Sequence, residues 1–346
     1  MEEIQEFLNS FSASGRINIS FAEIMENLAS GNLTEILQSY TQVLKQSLFS
    51  ELAANRTLLI QIVILALIGA VFSGFSGIFG SGQVGETGFY VIYLLIMTFL
   101  IMGFLASIRI AKEVTDQLLG FMQVLLPAYF LAVAAAGGAL TSASVCGFTI
   151  GAIGLVQSVL SEVLIPLTRI FMLLVMAGNL LKEDMVSKFT ELLRQGILWT
   201  MKTLFGGIVG FHVIQGMILP QADALKNASI LRAAQAIPGI GDGVGAVSQL
   251  VMGAGIMIKN TAGAAAVVVL LVLTAIPLLK LCVLAGLYYL SAAVMQPVCD
   301  KRLVACMAGA AAGHELLLKL VVYSLAMFIL TIAITCISTN AVWYAG

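Results

Sequence analysis

From residue 57 onward the chain is a succession of apolar runs, each close to the ~20 residues an α-helix needs to cross a hydrocarbon core of about 30 Å. The runs fall at 57–79, 88–110, 118–137, 142–161, 163–180, 196–219, 263–279, 281–298 and 315–338. The expected fold is all-α: a polytopic α-helical membrane protein of about 7–9 spans, with re-entrant and interfacial helices between them. Only 10% of residues are charged and 60% are apolar, against about a quarter charged in a soluble domain, which excludes a water-soluble core. Net charge is −1, so there is no basic surface to follow a nucleic acid.

Residues 1–55 alone keep an ordinary polar composition and read as an amphipathic helical N-terminal region, with residues 56–346 as the membrane domain. Ile4, Phe7, Leu8 and Phe11 form one helical stripe, Ser20 with Glu23 fits a capping box, and Gly31 fits a helix end. Within the membrane domain, residues 182–195 and 221–235 read as amphipathic linkers, and 244–258 is apolar but short enough for a re-entrant segment. Residues 263–298 are one apolar tract interrupted by Pro277 and Lys280, either a hairpin or a single kinked helix. Basic clusters at 109–112, 182–194, 226–232 and 301–302 cannot all fall on one side by simple alternation of spans. The acid-rich start and uncharged end favour both termini outside.

Charges inside apolar spans are costly, so each one draws attention. Glu162 and Arg169 are seven residues apart, two turns of a continuous helix, and are candidates for an intramembrane pair. Lys280 has no carboxylate nearby in sequence, and faces either a headgroup layer or a polar interior or partner. Glycine pairs at 147/151, 206/210 and 309/313 have the spacing that lets helices approach closely, within one chain or across a homo-oligomer face. The five cysteines lack paired spacing and the two histidines are far apart, which argues against a disulfide framework or a metal site. No nucleophile with a base is visible, so no enzymatic activity and no cofactor is expected.

Residues 236–247 read AIPGIGDGVGAV. A nucleotide fingerprint needs a strand before its glycines, and a phosphate loop needs GxxxxGK[ST]; neither is here. Pro238 disfavours helix at the residue before it, Gly239 and Gly241 remove the remaining bias, and Asp242 is out of place in an apolar crossing. The stretch near 237–245 reads as a break in the membrane-domain backbone.

The run LKNASILRAAQAIPGIG, followed by IKNTAGAAA, IPLLKL and SAAVMQP, resembles in order and spacing the C-terminal half of the stage III sporulation protein AE family, and LPAYFLAVAAAGG extends the likeness toward the first span. At matching positions the resemblance places Arg232, Pro238, Gly241, Lys259, Asn260, Gly263, Pro277, Lys280, Gln296 and Pro297. It implies a multi-pass protein of the mother-cell membrane around the forespore, in the transenvelope channel complex described as a feeding tube. Implied partners are the other stage III sporulation proteins, AA to AH, and stage II sporulation protein Q. The alternative is a free-standing secondary transporter for a small solute, which favours internal repeats and a midplane polar site.

If 237–245 is a covered break, bulk matters there more than charge. Gly241→Leu should lower protein level and sporulation efficiency, at a cost of ~1–3 kcal/mol where the backbone is strained. Asp242→Asn should be milder, and ATP or GTP should leave the thermal midpoint unchanged; full tolerance of Gly241→Leu would remove this reading.

Overall fold

In the computed structural model, which describes residues 2–12, 20–31, 33–76, 82–135, 139–180, 186–235 and 241–340, the described residues form helices and short turns with no strand among them. Two short helices come first, α1 (Glu2–Ser12) and α2 (Phe21–Ser30). Ser20 caps α2 by accepting the Glu23 N–H at 3.3 Å, and Gly31 ends it at φ 76°, where its N–H reaches the Asn27 and Leu28 carbonyls. That left-handed turn requires glycine.

The membrane domain is built from α3 (Leu33–Ser76), α4 (Gly82–Ala135), α5 (Ala139–Ser158), α6 (Ile165–Leu180), α7 (Ser187–Gln235), α8 (Gly241–Met295) and α9 (Lys301–Asn340). A π-helical turn, Val159–Leu164, carries α5 directly into α6. Apart from α5 and α6, which continue in one direction, the connections are short and sequential neighbours run antiparallel. Six helices among the described residues are long and apolar enough to cross a membrane. α8 and α9 are central: half of the most apolar window of each is buried, against under a fifth for α3 and α7. The apolar stripe of α1 is covered within the chain, with Ile4 and Leu8 buried and the Phe7 ring 6.2 Å from Phe121 of α4.

The helices are longer than hydropathy implies. The runs beginning at 88 and 118 share α4, those beginning at 142 and 163 share the continuous helix of α5, the π-turn and α6, and of the two alternatives for 263–298 the single helix is formed, which is why the structure has six candidates where the apolar runs gave more. Pro127 and Pro277 lie inside α4 and α8 without ending them. Residues 244–258 belong to α8, residues 221–235 are the final turns of α7, and α3 passes residue 55 without a break. At 1.5 Å per residue the 55 residues of α8 rise about 82 Å, so a 30 Å core encloses under half of a rod standing upright. The basic cluster at 109–112 therefore sits within α4, which removes one conflict in the charge pattern. Leu180, the last residue of α6, and Met295, the last of α8, lie at the same end of the bundle.

Of the glycine pairs, only 309/313 packs helices together. A methyl group on Gly309 would overlap Val175 of α6, and one on Gly313 would lie 3.0 Å from the Phe104 ring of α4. Gly147, Gly151, Gly206 and Gly210 meet nothing within 4 Å. Val175 is β-branched and stiff, so Gly309→Ala should lower stability by ~1–3 kcal/mol through overpacking. Gly147→Ala should be neutral or stabilising by up to ~1 kcal/mol through helix propensity. Thermal unfolding of the two variants in detergent checks the contrast.

Candidate functional site

Residue contacts set the relative heights of the helices. The Tyr129 hydroxyl of α4 lies 2.9 Å from the Cys336 thiol of α9, and the Phe104 and His314 rings are 5.5 Å apart, so α4 and α9 are parallel. Tyr288 of α8 sets its hydroxyl against Gly103, and Gly263 packs beside Tyr129 and Cys336, so α8 is antiparallel to both. Gln157 donates to Asp116 at 2.9 Å and Tyr93 to the Met176 carbonyl at 2.6 Å, which runs α5 and α6 antiparallel to α4.

In this register the charges that hydropathy read as span boundaries fall at one height. Arg109, Lys112, Glu113 and Asp116 are exposed on α4, and level with them lie Glu162 on the π-turn, Lys280 on α8 and Lys319 on α9. Lys280 pairs with Glu51 of α3, both half-buried. Glu315 holds Lys319 and accepts the Tyr289 hydroxyl at 2.7 Å, tying α8 to α9. The result is a polar belt around the middle of the bundle. Apolar side chains are exposed on either side of it: Ile64, Leu94, Leu95 and Leu290 on one, Leu131, Phe148, Ile214 and Met257 on the other.

The proposed Glu162–Arg169 pair is not formed. Both residues are exposed, and Glu162 accepts from Ser158 at 3.2 Å. The π-turn that contains Glu162 takes more residues per turn, so a spacing of seven no longer returns to one face. The partner of Lys280 was not visible in sequence because Glu51 is far away along the chain and lies in a region of ordinary polarity.

Inside the bundle, polar groups meet where α8 and α9 cross their neighbours. Lys259 is buried, with its ammonium in electrostatic reach of Cys336 and no carboxylate in salt-bridge range among the described residues. Beside it Gly263 leaves room for the Cys336 thiol, where a methyl group would overlap the sulfur. His212 of α7 lies 3.0 Å from Thr331 of α9; the Thr331 hydroxyl already donates to the Met327 carbonyl at 2.8 Å, so His212 Nε2–H is the donor. His314 donates from Nδ1 to the Ala310 carbonyl at 2.8 Å and stacks on Tyr288 with ring centres 4.6 Å apart, leaving buried Nε2 without a partner. Tyr129, Cys336, His212 and His314 were not singled out for this role, because their partners lie on other helices and no local pattern marks them.

The other candidate residues are dispersed. Asn260 is half-buried with an unpaired, buried Oδ1. Pro277 is buried within α8, and Gln296 with Pro297 is exposed in the turn before α9. Arg232 falls in the last turn of α7, and Gly241 and Asp242 open α8. Pro238 and Gly239 lie outside the described residues. No cluster of three or more metal-ligating side chains occurs among the described residues. In the turn between α8 and α9, burial pushes the Cys299 thiol up from its ordinary value, which keeps it protonated at neutral pH.

Comparison with known proteins follows the same helical region. The family described as stage III sporulation protein AE matches residues 19–339. Stage III sporulation protein AE of Bacillus subtilis (strain 168) is 23% identical over 361 residues, covering 100% of this chain and 86% of that protein. No solved structure matches.

The Glu51–Lys280 bridge supplies a direct test of the belt. Each half of the pair holds a charge that the other compensates, so Glu51→Gln and Lys280→Met should each destabilise more than the double variant implies by addition. A double-mutant cycle by thermal unfolding should give a coupling of roughly 1 kcal/mol, discounted for the partial exposure of both groups; a coupling of zero would remove the bridge.

Proposed function

The chain belongs to the stage III sporulation protein AE family, and from that premise we propose that it is a membrane core component of the channel complex between mother cell and forespore. The observation that carries this reading is the height of the bundle. Helices of 40–55 residues rise well beyond a bilayer core, as suits a subunit that must engage both a membrane and protein layers next to it. The second apolar band needs cover that a single bilayer cannot supply, and neighbouring subunits are the natural source.

The same geometry limits how a conduit is built. Ile96, Leu100, Leu118, Leu160, Leu270, Leu317 and Leu320 are wholly buried between the helices, so the interior is packed among the described residues. A passage would therefore lie between copies of this chain or between it and its partners. Those partners are the other stage III sporulation proteins, AA to AH, and stage II sporulation protein Q, and the residues offered for such contacts are Arg232, Gly241, Asp242, Gln296 and Pro297. The buried Lys259 with Asn260 and Gly263 is offered as the interior polar site, and Lys280 as the anchor of the belt.

A fluorescent fusion should appear only during sporulation, in the mother-cell membrane around the forespore, and should copurify with other stage III proteins. Uniform membrane signal in growing cells with no copurifying partner would favour a free-standing transporter.

A further inference from the structure

An open-sided cleft of about 310 Å³ lies where α6, α7, α8 and α9 meet beside the polar belt. That is at the low end of the 300–1,000 Å³ typical of small-ligand sites. Phe171, Leu174 and Val175 form its apolar wall. Its polar lining comes from Asn179, Ser187, Thr190, Glu191, Arg194 and Tyr289.

The hydrogen bonding of that lining is incomplete in a specific way. Arg194 Nε is buried without a partner, and its Nη1 is 3.9 Å from Glu191, the nearest carboxylate among the described residues. Glu315 and Tyr289 are in electrostatic range of the guanidinium but already bonded to each other, and Glu315 also holds Lys319. Ser187 opens α7, whose first turn carries N–H groups with no helical acceptor, and the first bond of the helix is Thr190 N–H to the Val186 carbonyl at 3.0 Å. These donors line the cleft and suit an anion, above all the tetrahedral oxygens of a phosphate. Beside them Glu191 gives Oε1 to Gln195 at 2.9 Å and turns Oε2 toward Arg194 at 3.9 Å, too far for a close bond, and Asn179 donates its amide N–H to the Val175 carbonyl, leaving its oxygen to accept. These acceptors suit an ammonium.

The surroundings distinguish a lipid from a free solute. Residues 187–199 of α7 do not present a single apolar face to the bundle: Ile197 is buried and Leu193 packs on the core, but Phe189, Leu192 and Trp199 are 55%, 66% and 69% exposed. Exposed aromatic and apolar groups beside a belt of charge mark the headgroup level of a bilayer. Tyr289 and Leu290 of α8 continue this surface next to the cleft.

We propose that this cleft binds the headgroup of a zwitterionic phospholipid of the ethanolamine type, with its phosphate on Arg194 and the start of α7, its ammonium on Glu191 and Asn179, and its acyl chains along the outer surface of α6 and α7. This goes beyond a role in the channel complex and holds for the chain by itself.

The test uses the full chain, purified, stripped of lipid and returned to nanodiscs of phosphatidylethanolamine, phosphatidylglycerol or phosphatidylcholine. After extraction, intact-mass spectrometry counts the lipid that remains bound. One ethanolamine lipid per chain should be retained at least tenfold better than either of the others. Arg194→Gln should abolish retention, Arg194→Lys should restore part of it, and Lys45→Gln, an exposed control on α3 away from the cleft, should leave it unchanged. Should Arg194→Gln fail to fold, Glu191→Gln remains decisive, because it should remove the preference for ethanolamine over glycerol headgroups. Equal retention of all three lipids, or an unchanged preference in Glu191→Gln, would overturn the proposal. Competition by soluble glycerophosphoethanolamine as strong as by the whole lipid would overturn the lipid assignment and give the cleft to a water-soluble zwitterion.

Discussion

Helices α8 and α9 lie antiparallel against each other, and this contact positions the rest of the bundle. In a bilayer there is no hydrophobic drive to bring apolar helices together, so close approach and dispersion must do it. Gly309 and Gly313 admit Val175 and Phe104 to the α9 backbone, and Gly263 admits the Cys336 thiol to α8. α3 and α4 then pack on α8, while α4, α6 and α7 pack on α9. Because all of these helices are indexed to the same pair, a charge on any one of them has a defined height relative to charges on the others.

The belt follows from that indexing. A lysine or carboxylate in the middle of a long apolar rod is costly unless it is paired or reaches water, and both solutions occur here. Lys280 and Glu51 pair across α3 and α8, and Lys319, Glu315 and Tyr289 form a second set across α8 and α9. Arg109, Lys112 and Glu113 of α4 are exposed. Gathering these groups into one layer lets them share a single polar environment, and leaves two apolar bands, each close to a bilayer core in height.

What could be read from the sequence was set by range along the chain. The helical class, the helix ends at Ser20 and Gly31, and the packing of Gly309 with Gly313 are local patterns and agree with the structure. A hydropathy window, however, responds to the charges at 109–116 in the same manner whether they form a loop or a belt, so it divides α4, and Glu162 likewise divides α5 from α6. The π-turn at Val159–Leu164 has no distinctive composition, and without it Glu162 and Arg169 would share a face. The polar interior depends on contacts such as Tyr129 with Cys336 and His212 with Thr331, which join residues 207 and 119 positions apart. Gly147 and Gly206 carry the same spacing signal as Gly309, yet face open space, because small-residue spacing states what a helix surface permits and not what is placed against it.

The belt requires α4 to be one helix through its charged middle. Met102 and Leu131 are both exposed on that helix, 61% and 72%, on opposite sides of the belt. Spin labels at these two positions, read by pulsed electron–electron distance measurement in nanodiscs, report the distance between the bands. The 29 residues that separate them predict about 44 Å at 1.5 Å per residue, on nearly the same face of the helix. A distance below about 25 Å would mean that the chain turns back at 109–117, and that the charges there form a connection between two separate spans.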